Sequence, residues 1–515
     1  MNSTFGITGY PTGQVNRTAY SGTVTLSRSL WAAATNSIKA QPAYANVALQ
    51  GTINATTRVL TLQAQVYYTA NSPVGTNYLT VMLLENNVPG PQTDYNQPVY
   101  NPTNYNVDGT YRHNHFLRKT LTLTLGNAVT PTTAGSTFNQ TYTYTIPATY
   151  GAGTNTNTCM LGRLELVGFI AQTNVSASNI INGARGPLTL TNIPNTLDAA
   201  PVGLLSDAQV CAGNLQNIMF KFDNMGSTTI TNAVFSYNIN GGAPINYNFT
   251  GSVPPLTQSF PIALPNMLFS PVANNTLNVG VVSVNAATDQ NPGNDLTSKL
   301  IPLTAVTANS VIMQMDFTQD RYGDEVGWGV YDEVAMTAVP GATIAYGTYP
   351  VLAANGTQLH THTFVINPAT CYKLVVMDQY GDGVNAGYGV GGYSLKSGLS
   401  AIITGNGTYG KGENKWYKSS VTAGIGTAGI NISNVTVYPN PASSSANINI
   451  ELSQNENINV VIINALGQSV YNESLSLDAG SNIIKLNSEN WSNGLYNINM
   501  TTSKGSATQK LTISK

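Results

Sequence analysis

Charge is scarce in this chain. Asp, Glu, Lys and Arg make up 9% of its 515 residues, against roughly 25% in ordinary soluble domains. The formal net charge of −2 argues against the basic surface that a nucleic-acid partner requires, so we expect no such partner. Hydrophobic residues still make up 42%, so the chain can bury cores and is not a disordered polypeptide.

Long apolar runs, closely spaced cysteines and catalytic fingerprints are also missing. Leu164–Ala171 is among the longest apolar runs and is interrupted by Glu165, which excludes an ordinary transmembrane helix. Cys159, Cys211 and Cys371 lie far apart, and their spacing allows either one disulfide with one free thiol or three buried thiols. H-E-x-x-H, G-x-S-x-G and phosphate-loop motifs do not occur, so we expect no enzymatic activity.

Helical patterning is also scarce, and Leu26–Ala40 is the best candidate for a short helix near the N-terminus. Most other segments alternate apolar and polar residues between turn residues, as in Arg58–Val66 and Leu121–Leu125. This alternation places one face of a strand on a core and the other in water. The sequence therefore predicts an all-β protein of several tandem β-sandwich, immunoglobulin-like domains.

The first predicted domain, residues 1–196, contains an ordered series of short motifs. They are Tyr10-Pro11-Thr12, Val81–Asn86, Tyr111–Arg118, Leu164–Ala171 and Ile180–Ala184. In this order they resemble the Omp-twenty-eight-related family of Bacteroidota surface proteins. Members usually begin with a thioredoxin-like half carrying a CxxC, which is missing here. Either the sequence is truncated at its front or the protein has lost that half. We expect truncation, because the signal peptide that export requires is missing as well.

Residues 197–305 form the second predicted domain. Its strand-like runs are separated by turn residues, and the order Asn224–Ser227, Tyr237–Gly242, Asn291–Asp295 resembles CARDB-type immunoglobulin-like modules. The spacing suggests a seven-strand sandwich. The resemblance implies a spacer or adhesion unit and carries no activity with it.

Residues 306–418, the third predicted domain, contain a repeated acidic motif. Asp320–Asp324 (DRYGD) returns fifty-eight positions later as Asp378–Asp382 (DQYGD), which suggests a two-fold repeat within one sandwich. Six acids lie within eighteen residues around the first copy: Asp316, Asp320, Asp324, Glu325, Asp332 and Glu333.

Two interpretations of the acidic motif stay open. Ca²⁺ prefers six to eight oxygen ligands, and the candidate ligands are Asp320, Asp324, Glu325, Asp378, Asp382 and Asn385. Alternatively, the motif is simply a turn in which Asp bonds its own backbone and Gly takes a positive φ.

Two His-x-His pairs raise a similar question. His113 with His115 and His360 with His362 would each project from one face of a strand, as a Zn²⁺ site requires. No third ligand is suggested by the sequence. We favour polar surface or local hydrogen-bonding roles for both pairs.

The last predicted domain, residues 434–515, follows a linker predicted at 419–433. It combines an opener (VYPNPAS), a central strand with a tight turn, a late G-x-Y strand and a basic end. The positions that carry the pattern are Pro439, Asn440, Pro441, Gly467, Gly494, Tyr496, Lys510 and Lys515. This order resembles the type A C-terminal sorting domain of the type IX secretion system. The resemblance implies export to the extracellular face of the outer membrane, with the secretion translocon and an outer-membrane β-barrel shuttle protein as partners.

Together these features predict a non-enzymatic surface protein with a structural or adhesive role. Low charge and Asn/Thr-rich surfaces suit self-association, and one version of the hypothesis is a self-assembling fibre. The alternative is a secreted glycan-binding protein or hydrolase that uses the Asp-rich domain, because paired carboxylates are also the groups of glycoside hydrolysis.

Overall fold

Strands account for 55% of the chain and helices for 4%, which confirms the all-β fold class. The computed structural model describes residues 4–7, 9, 12–92, 104–151, 156–420, 432–502 and 505–515. Tyr10, Pro11 and residues 421–431 of the predicted linker lie outside the described residues. Among the described helices, none has the length and apolar character needed to span a membrane.

The N-terminal region folds into a sandwich of two sheets, with strand orders β10-β4-β3-β15 and β14-β13-β5-β8. Its elements are β1 (Thr12–Gly13), β2 (Leu26–Ser27), a 3-10 turn (Arg28–Leu30), α1 (Trp31–Ile38), β3 (Ala45–Asn54), β4 (Val59–Tyr68), β5 (Asn77–Glu85), β6 (Val88–Gly90), β7 (Tyr111–His113), β8 (Phe116–Thr120), β9 (Asn127–Val129), β10 (Thr137–Thr145), β11 (Thr149–Tyr150), β12 (Asn157–Thr158), a 3-10 turn (Leu161–Arg163), β13 (Leu164–Ala171), β14 (Ile180–Gly186) and β15 (Leu188–Thr191). Alternate residues of β3 and β4, such as Ile53 and Leu62, meet Val81 and Leu166 of the other sheet in one core. The predicted helix is therefore present, as α1 with the turn before it.

One strand predicted in this region is wrong. Leu121–Leu125 alternates apolar residues but lies in a turn after β8. The Thr122 hydroxyl accepts the Val81 N–H at 3.2 Å, in place of a backbone carbonyl. Leu123 is exposed, and Gly126, at φ 99°, closes the turn by donating its N–H to the Leu123 carbonyl. The Thr122 hydroxyl thus accepts a hydrogen bond that a backbone carbonyl would accept in a β-ladder.

The region after residue 197 also consists of sheets, with strand orders β16-β18-β21, β17-β22 and β20-β19-β23-β24. The strands are β16 (Ala199–Leu205), β17 (Asn214–Leu215), β18 (Met219–Asn224), β19 (Ile230–Ile239), β20 (Ile245–Val253), β21 (Ile262–Ala263), β22 (Met267–Leu268), β23 (Asn274–Val284) and β24 (Leu296–Pro302). Phe220, Phe222 and Phe235 form an aromatic contact between two of these sheets, with ring centroids 4.9–5.0 Å apart. The Phe220–Phe235 pair is edge-to-face, an arrangement that adds to the stability gained by burying the rings.

The Asp-rich region is a second sandwich, with orders β25-β33-β30-β27-β28 and β29-β26-β31-β32. The strands are β25 (Thr307–Ala308), β26 (Ile312–Gln319), β27 (Val326–Asp332), β28 (Ala338–Ile344), β29 (Gln358–Val365), β30 (Cys371–Asp378), β31 (Gly392–Ser397), β32 (Ser400–Gly405) and β33 (Gly412–Ser419), and a 3-10 turn, Gly323–Glu325, precedes β27. Exchanging the two sheets maps β26, β27 and β28 onto β30, β31 and β32. The motif repeat therefore has a structural basis, and each half contributes strands to both sheets.

The C-terminal region is a third sandwich, with orders β34-β35-β38 and β37-β36-β39-β40. Its strands are β34 (Ile432–Tyr438), β35 (Ser445–Leu452), β36 (Glu456–Ile463), β37 (Ser469–Leu477), β38 (Gly480–Asn487), β39 (Gly494–Thr502) and β40 (Gly505–Ile513). Ile448, Ile450, Val460, Ile462 and Ile498 meet in its core. The predicted central strand and the predicted late G-x-Y strand are present here as β36 and β39.

Two compact units account for the contacts of the chain. One contains Met1–Leu205, Met219–Leu264 and Asn278–Ser298, and the other contains Ser206–Ile218, Pro265–Leu277 and Lys299–Lys515. Residues of the predicted second domain occur in both units. The predicted domain boundaries stay predictions.

Candidate functional site

The two acidic motifs occupy equivalent positions in the Asp-rich sandwich. Asp320 directly follows β26, and Asp378 is the last residue of β30; these two strands lie inside opposite sheets. Each motif then leads the chain into the other sheet, through β27 and β31 respectively. The internal symmetry therefore relates two loops that are fifty-eight positions apart in sequence.

Each motif contains an Asp turn. One oxygen of Asp320, Oδ1, accepts the Tyr322 N–H at 3.0 Å. Asp378 Oδ1 accepts the N–H groups of Gly381 and, at 3.3 Å, of Asp382. Gly381 takes φ 86°, a conformation that favours glycine. One oxygen of each carboxylate thus accepts backbone N–H groups as the turn interpretation predicts. The predicted positive φ is found at Gly381 and not at Gly323, which lies in the 3-10 turn.

The second oxygen of each carboxylate is buried without a partner. Asp320 and Asp378 are 1% and 2% exposed, and the Oδ2 atom of each has no hydrogen bond within the described part of the chain. Carboxylate oxygens of Glu325, Asp378 and Asp382 lie within 4.8 Å of one another. A buried charge without a partner is costly, so this acidic cluster is incomplete as a purely structural arrangement.

Burial and mutual repulsion change how the acidic cluster titrates. Burial, and to a smaller extent the neighbouring charges of Asp378, Asp382, Asp320 and Asp324, together raise the pKa of Glu325 to about 8. Burial also raises the pKa of Asp378 to about 6 and raises the pKa of Asp320. A bound divalent cation would reverse this electrostatic balance, because it favours the ionised carboxylates.

Three of the six predicted Ca²⁺ ligands come together, with carboxylate oxygens within 4.8 Å of one another: Glu325, Asp378 and Asp382. A fourth, Asp320, is coupled to them by charge. Asp320 acts electrostatically on Glu325 and shares a repulsive interaction with Asp382. Asp324 is exposed and reaches the acidic cluster only through its charge on Glu325. The Asn385 amide donates from Nδ2 to the Asn406 carbonyl at 3.2 Å, which leaves its Oδ1 as the atom that could face a cation.

The other three acids near the first motif have separate roles. Asp316 forms an ion pair with Lys396 at 2.6 Å. Asp332 accepts the N–H groups of Val334 and Ala335 at the end of β27. Glu333 belongs to a different site, described below with the cysteines. The density of acids in the sequence thus overstated the size of the cluster.

Tyr409 is a neighbour that sequence inspection missed. Its hydroxyl is buried without a hydrogen-bond partner among the described residues. Burial raises its pKa, and the charges of Asp378 and Asp320 raise it further. No local pattern marks this residue, since it reaches the site from the segment between β32 and β33.

His360 and His362 form hydrogen bonds inside the same sandwich. His360 Nε2 donates to Gln319 Oε1 at 2.7 Å. The Trp328 indole donates to the Tyr349 hydroxyl at 2.9 Å, which leaves the hydroxyl hydrogen for His362 Nε2 at 3.0 Å. Burial lowers the pKa of both histidines. The local hydrogen-bonding role is confirmed for this pair.

His113 and His115 have different partners. His113 Nε2 lies 3.3 Å from the Pro91 carbonyl. His115 Nδ1 contacts the Glu165 carboxylate, which also binds Arg185. The two rings thus contact separate groups, and the preferred interpretation of polar local roles holds here too.

The cysteines take one of the two arrangements that the sequence left open. Cys211 and Cys371 form a disulfide, and Cys159 is a buried free thiol. Glu333 lies beside the disulfide and accepts the Ala212 N–H at 2.6 Å and the Cys211 N–H at 3.0 Å. The disulfide and this carboxylate fix the segment around Cys211 to the Asp-rich sandwich within the same compact unit.

In the C-terminal sandwich, the predicted opener is fixed to the last strand. Asn440 Nδ2 donates to the Lys510 carbonyl at 2.8 Å, and Asn440 Oδ1 accepts the Thr512 N–H at 2.9 Å. The Ala442 N–H donates to the Thr512 carbonyl at 2.8 Å. Asn440 lies between Pro439 and Pro441, and its amide acts as both donor and acceptor along one edge of β40.

The remaining predicted positions define the turns and the end of this sandwich. Gly467 takes φ 81° in the turn after β36, where Asn464 Oδ1 accepts the Gln468 N–H at 3.0 Å. Gly494 begins β39, and the buried Tyr496 donates its hydroxyl to the Ser492 carbonyl at 2.8 Å. The Lys515 N–H donates to Asn493 Oδ1 at 2.9 Å.

Comparisons with known proteins give matches at both ends of the chain. Residues 1–184 match the family described as outer membrane protein Omp28, and residues 436–514 match the secretion system C-terminal sorting domain. Among curated proteins, none matches the chain.

Three solved structures share limited similarity with the chain. HBP35 of Porphyromonas gingivalis is 15% identical over 59% of this chain and 78% of its own, with a TM-score of 0.28. Red sea bream transglutaminase is 9% identical over 54% of this chain and 34% of its own, with a TM-score of 0.17. Dimeric latent PorU from Porphyromonas gingivalis is 12% identical over 92% of this chain and 34% of its own, with a TM-score of 0.15.

TM-scores this low carry no information on function. The two family matches, in contrast, coincide with the segments whose motifs and geometry are described above. The chain therefore carries an Omp28 segment at its N-terminus and a type IX secretion C-terminal sorting domain at its C-terminus, and it is a secreted or surface protein.

Proposed function

We propose that this chain is a non-enzymatic structural or adhesive protein of the cell surface, and that Ca²⁺ bound at the acidic cluster stabilises its Asp-rich sandwich. The observation that carries the Ca²⁺ proposal is the pair of buried, unpartnered oxygens on Asp320 and Asp378. Asp378 belongs to the group of three carboxylates, and Asp320 is coupled to that group by charge. The first oxygen of each is already engaged by backbone N–H groups.

The chemistry of the acidic cluster suits Ca²⁺ among the common cations. Its donors are carboxylate oxygens in glycine-containing loops, and Ca²⁺ accepts six to eight such ligands in flexible geometry. Mg²⁺ needs near-ideal octahedral geometry and keeps its waters, while Zn²⁺ favours Cys and His. Asp320, Glu325, Asp378 and Asp382 supply the charge, and Asn385 adds an amide oxygen if its loop turns inward.

Thermal unfolding of the full chain tests this Ca²⁺ site. We expect CaCl₂ to raise the melting temperature over that in EDTA, because a ligand that binds only the folded state stabilises it. The isosteric variant D320N/D378N removes two charges and should abolish the shift. The control D478N changes an exposed carboxylate in the sorting domain and should leave it unchanged. Equal melting temperatures with Ca²⁺ and EDTA would contradict the proposal.

A self-assembling fibre is the most specific form of the structural role. The support for it is compositional: with 9% charged residues, neighbouring subunits would meet with little like-charge repulsion, and Asn and Thr side chains could bond laterally. Negative-stain electron microscopy of the purified protein tests it. Filaments are expected, and monodisperse single particles at the same concentration would contradict the fibre.

Export through the type IX system also implies a receptor for the sorting domain. We propose that an outer-membrane β-barrel shuttle protein recognises the face where Asn440 joins the opener to β40. Cross-linking from a photoreactive residue placed at exposed Asn440, followed by mass spectrometry of the product, tests this contact. A product with only inner-membrane or periplasmic chaperones would contradict it.

A glycan-directed hydrolase is the second candidate function. The observation that favours it is the difference between the pKa of Glu325, about 8, and that of Asp378, about 6, since an acid and a base with separated pKa values can share a hydrolytic site. Against it stands the burial of Asp320 and Asp378, which leaves little carboxylate surface for a substrate. A hydrolase screen with E325Q as the control distinguishes the two: activity lost in E325Q would favour the enzyme.

A further inference from the structure

The outer face of the N-terminal sandwich carries an ordered grid of uncharged polar side chains. Adjacent strands β10, β4 and β3 place twelve side chains in four rows. From one end these rows are Thr137–Tyr67–Asn46, Asn139–Gln65–Ala48, Thr141–Gln63–Gln50 and Thr143–Thr61–Thr52. All twelve residues are exposed, none is charged, and eleven carry an amide or a hydroxyl group. We call this surface the amide–hydroxyl face.

The alternate residues of the same strands are committed to the core, so only the outward-pointing set forms the amide–hydroxyl face. Leu49, Leu62 and Val66 point the other way and are fully or nearly fully buried. Neighbouring strands lie about 4.8 Å apart and side chains on one face repeat about every 6.8 Å along a strand. Hydrogen-bonding groups therefore recur at regular intervals in two directions, which suits a ligand that is itself a repeating polymer.

A shallow groove of about 520 Å³ crosses the middle of this face. Its lining includes Gln50, Gln63, Gln65, Asn139 and Thr141. Gln65 donates from Nε2 to Asn139 Oδ1 at 2.9 Å, so two of these amides hold each other in place, while Gln50 and Gln63 are exposed to solvent. Tyr67 lies in the row at one end of the grid and is 43% exposed.

The opposite sheet of the same sandwich has a different outer surface. There Glu165 binds Arg185 and His115, and the Arg17 guanidinium lies 4.8 Å from the Phe169 ring. That surface is charged and covered by the N-terminal segment. The absence of charge thus distinguishes the amide–hydroxyl face from the other outer surface of the same sandwich.

The chemistry of this face selects among partners. A nucleic acid or an acidic polymer would need cations, and a stable protein interface would need an apolar centre with aromatic or Arg anchors. Ala48 is the one apolar member of the grid. Amides and hydroxyls both donate and accept hydrogen bonds, as sugar hydroxyls do, and Tyr67 offers a ring face for a pyranose. We propose that the amide–hydroxyl face binds a neutral polysaccharide.

This inference rests on the proposed adhesive role and supplies the class of ligand for that role. It does not depend on the Ca²⁺ site. Affinity electrophoresis of the full chain through gels containing hydroxyethylcellulose, dextran, mannan or heparin tests it. We expect retardation by at least one neutral polymer and none by heparin. Running the gels with CaCl₂ and with EDTA separates failure of this face from failure of the Ca²⁺ site.

The variant Q63E/Q65E keeps the shape of two central side chains and adds charge to the groove. Because two hydrogen bonds of about 1 kcal/mol each are at stake, we expect the affinity to fall about tenfold or more. The matched control Q358E alters an exposed glutamine on β29 and should bind as the unmodified chain does.

Two binding results would overturn the inference, and a sedimentation result would do so as well. One is the lack of retardation by all three neutral polymers while circular dichroism shows a folded chain. The other is equal retardation of Q63E/Q65E and the unmodified chain. Sedimentation that shows a dimer dissociated by Q63E/Q65E would instead assign the face to a second copy of the chain, and would also reject the polysaccharide.

Discussion

Asp320 and Asp378 hold the same place in two halves of one sandwich, and each keeps its Oδ2 atom buried and unpaired. Exchanging the two sheets maps β26, the strand before Asp320, onto β30, the strand that ends at Asp378. Glu325 experiences the charge of both residues. The internal repeat has therefore brought two related acidic turns close enough for their charges to interact. In the proposed Ca²⁺ site, one cation shared by the two loops offsets this repulsion.

The pH dependence of unfolding without Ca²⁺ follows from the acidic cluster. The folded state raises the pKa of Glu325 from 4.5 to about 8, so the folded chain holds a proton that the unfolded chain releases. The contribution of Glu325 to the free energy of unfolding is therefore fully present below pH 4.5 and is lost as pH rises through about 8. We expect the melting temperature in EDTA to fall relative to E325Q by about 2 °C or more over this range, since 1 kcal/mol corresponds to roughly 2–4 °C.

The quantity to compare is the difference in melting temperature between the unmodified chain and E325Q at each pH. Burial lowers the pKa of His360 and His362, so these residues destabilise the folded state as pH falls below 6.5 in both proteins. The difference between E325Q and the unmodified chain removes their contribution. A difference that stays constant from pH 4.5 to pH 8 would contradict the assignment of Glu325 to a buried cluster.

The Cys211–Cys371 disulfide should contribute strongly to stability. It joins residues 160 positions apart, and closing such a loop in the unfolded chain is worth about 2–5 kcal/mol. We expect a reductant to lower the melting temperature of the unit that contains the Asp-rich sandwich. In C211A/C371A the same reductant should have no further effect, and an identical response in both proteins would reject this role.

Asn440 should hold the sorting domain closed. Its amide bonds both the Lys510 carbonyl and the Thr512 N–H, so N440A removes two exposed hydrogen bonds, together worth about 1–2 kcal/mol. We expect a lower urea midpoint for the purified protein. N472A, an exposed asparagine on β37, serves as the control. Equal midpoints for N440A and N472A would show that the opener is fixed by its backbone alone.

Removing the sorting domain should stop delivery to the surface. A chain that lacks residues 434–515 loses the whole segment that matches the sorting family, and we expect it to accumulate in the periplasm. Protease shaving of intact cells with immunoblotting measures the surface fraction. Surface delivery equal to that of the full chain would overturn the role of this domain.

Much of the fold could be predicted because period-two alternation survives in most strands. It identified β4, whereas the specific order of turn and strand residues identified β36 and β39 of the sorting domain. The same rule failed at Leu121–Leu125, where the Thr122 hydroxyl occupies a position that a ladder carbonyl would fill. Alternation shows which residues share a face, but does not show whether a neighbouring strand lies within reach.

The candidate sites were harder to predict, because they depend on contacts between distant segments. The repeat of D-x-Y-G-D identified Asp320 and Asp378, yet Asp316 and Glu333, equally acidic neighbours, belong to an ion pair and to the disulfide site. Tyr409 carried no signal at all. The amide–hydroxyl face was also invisible, because it exists only once the register of β10, β4 and β3 is known.

Isothermal titration of the purified full chain with CaCl₂, after removal of metals with EDTA, tests the central claim most directly. The two loops form one cluster, so we predict one Ca²⁺ per chain at the acidic cluster and no such binding in D320N/D378N. D478N should bind as the unmodified chain does. The absence of heat from that site in the unmodified chain, or unchanged binding in D320N/D378N, would contradict a Ca²⁺ site formed by Asp320 and Asp378.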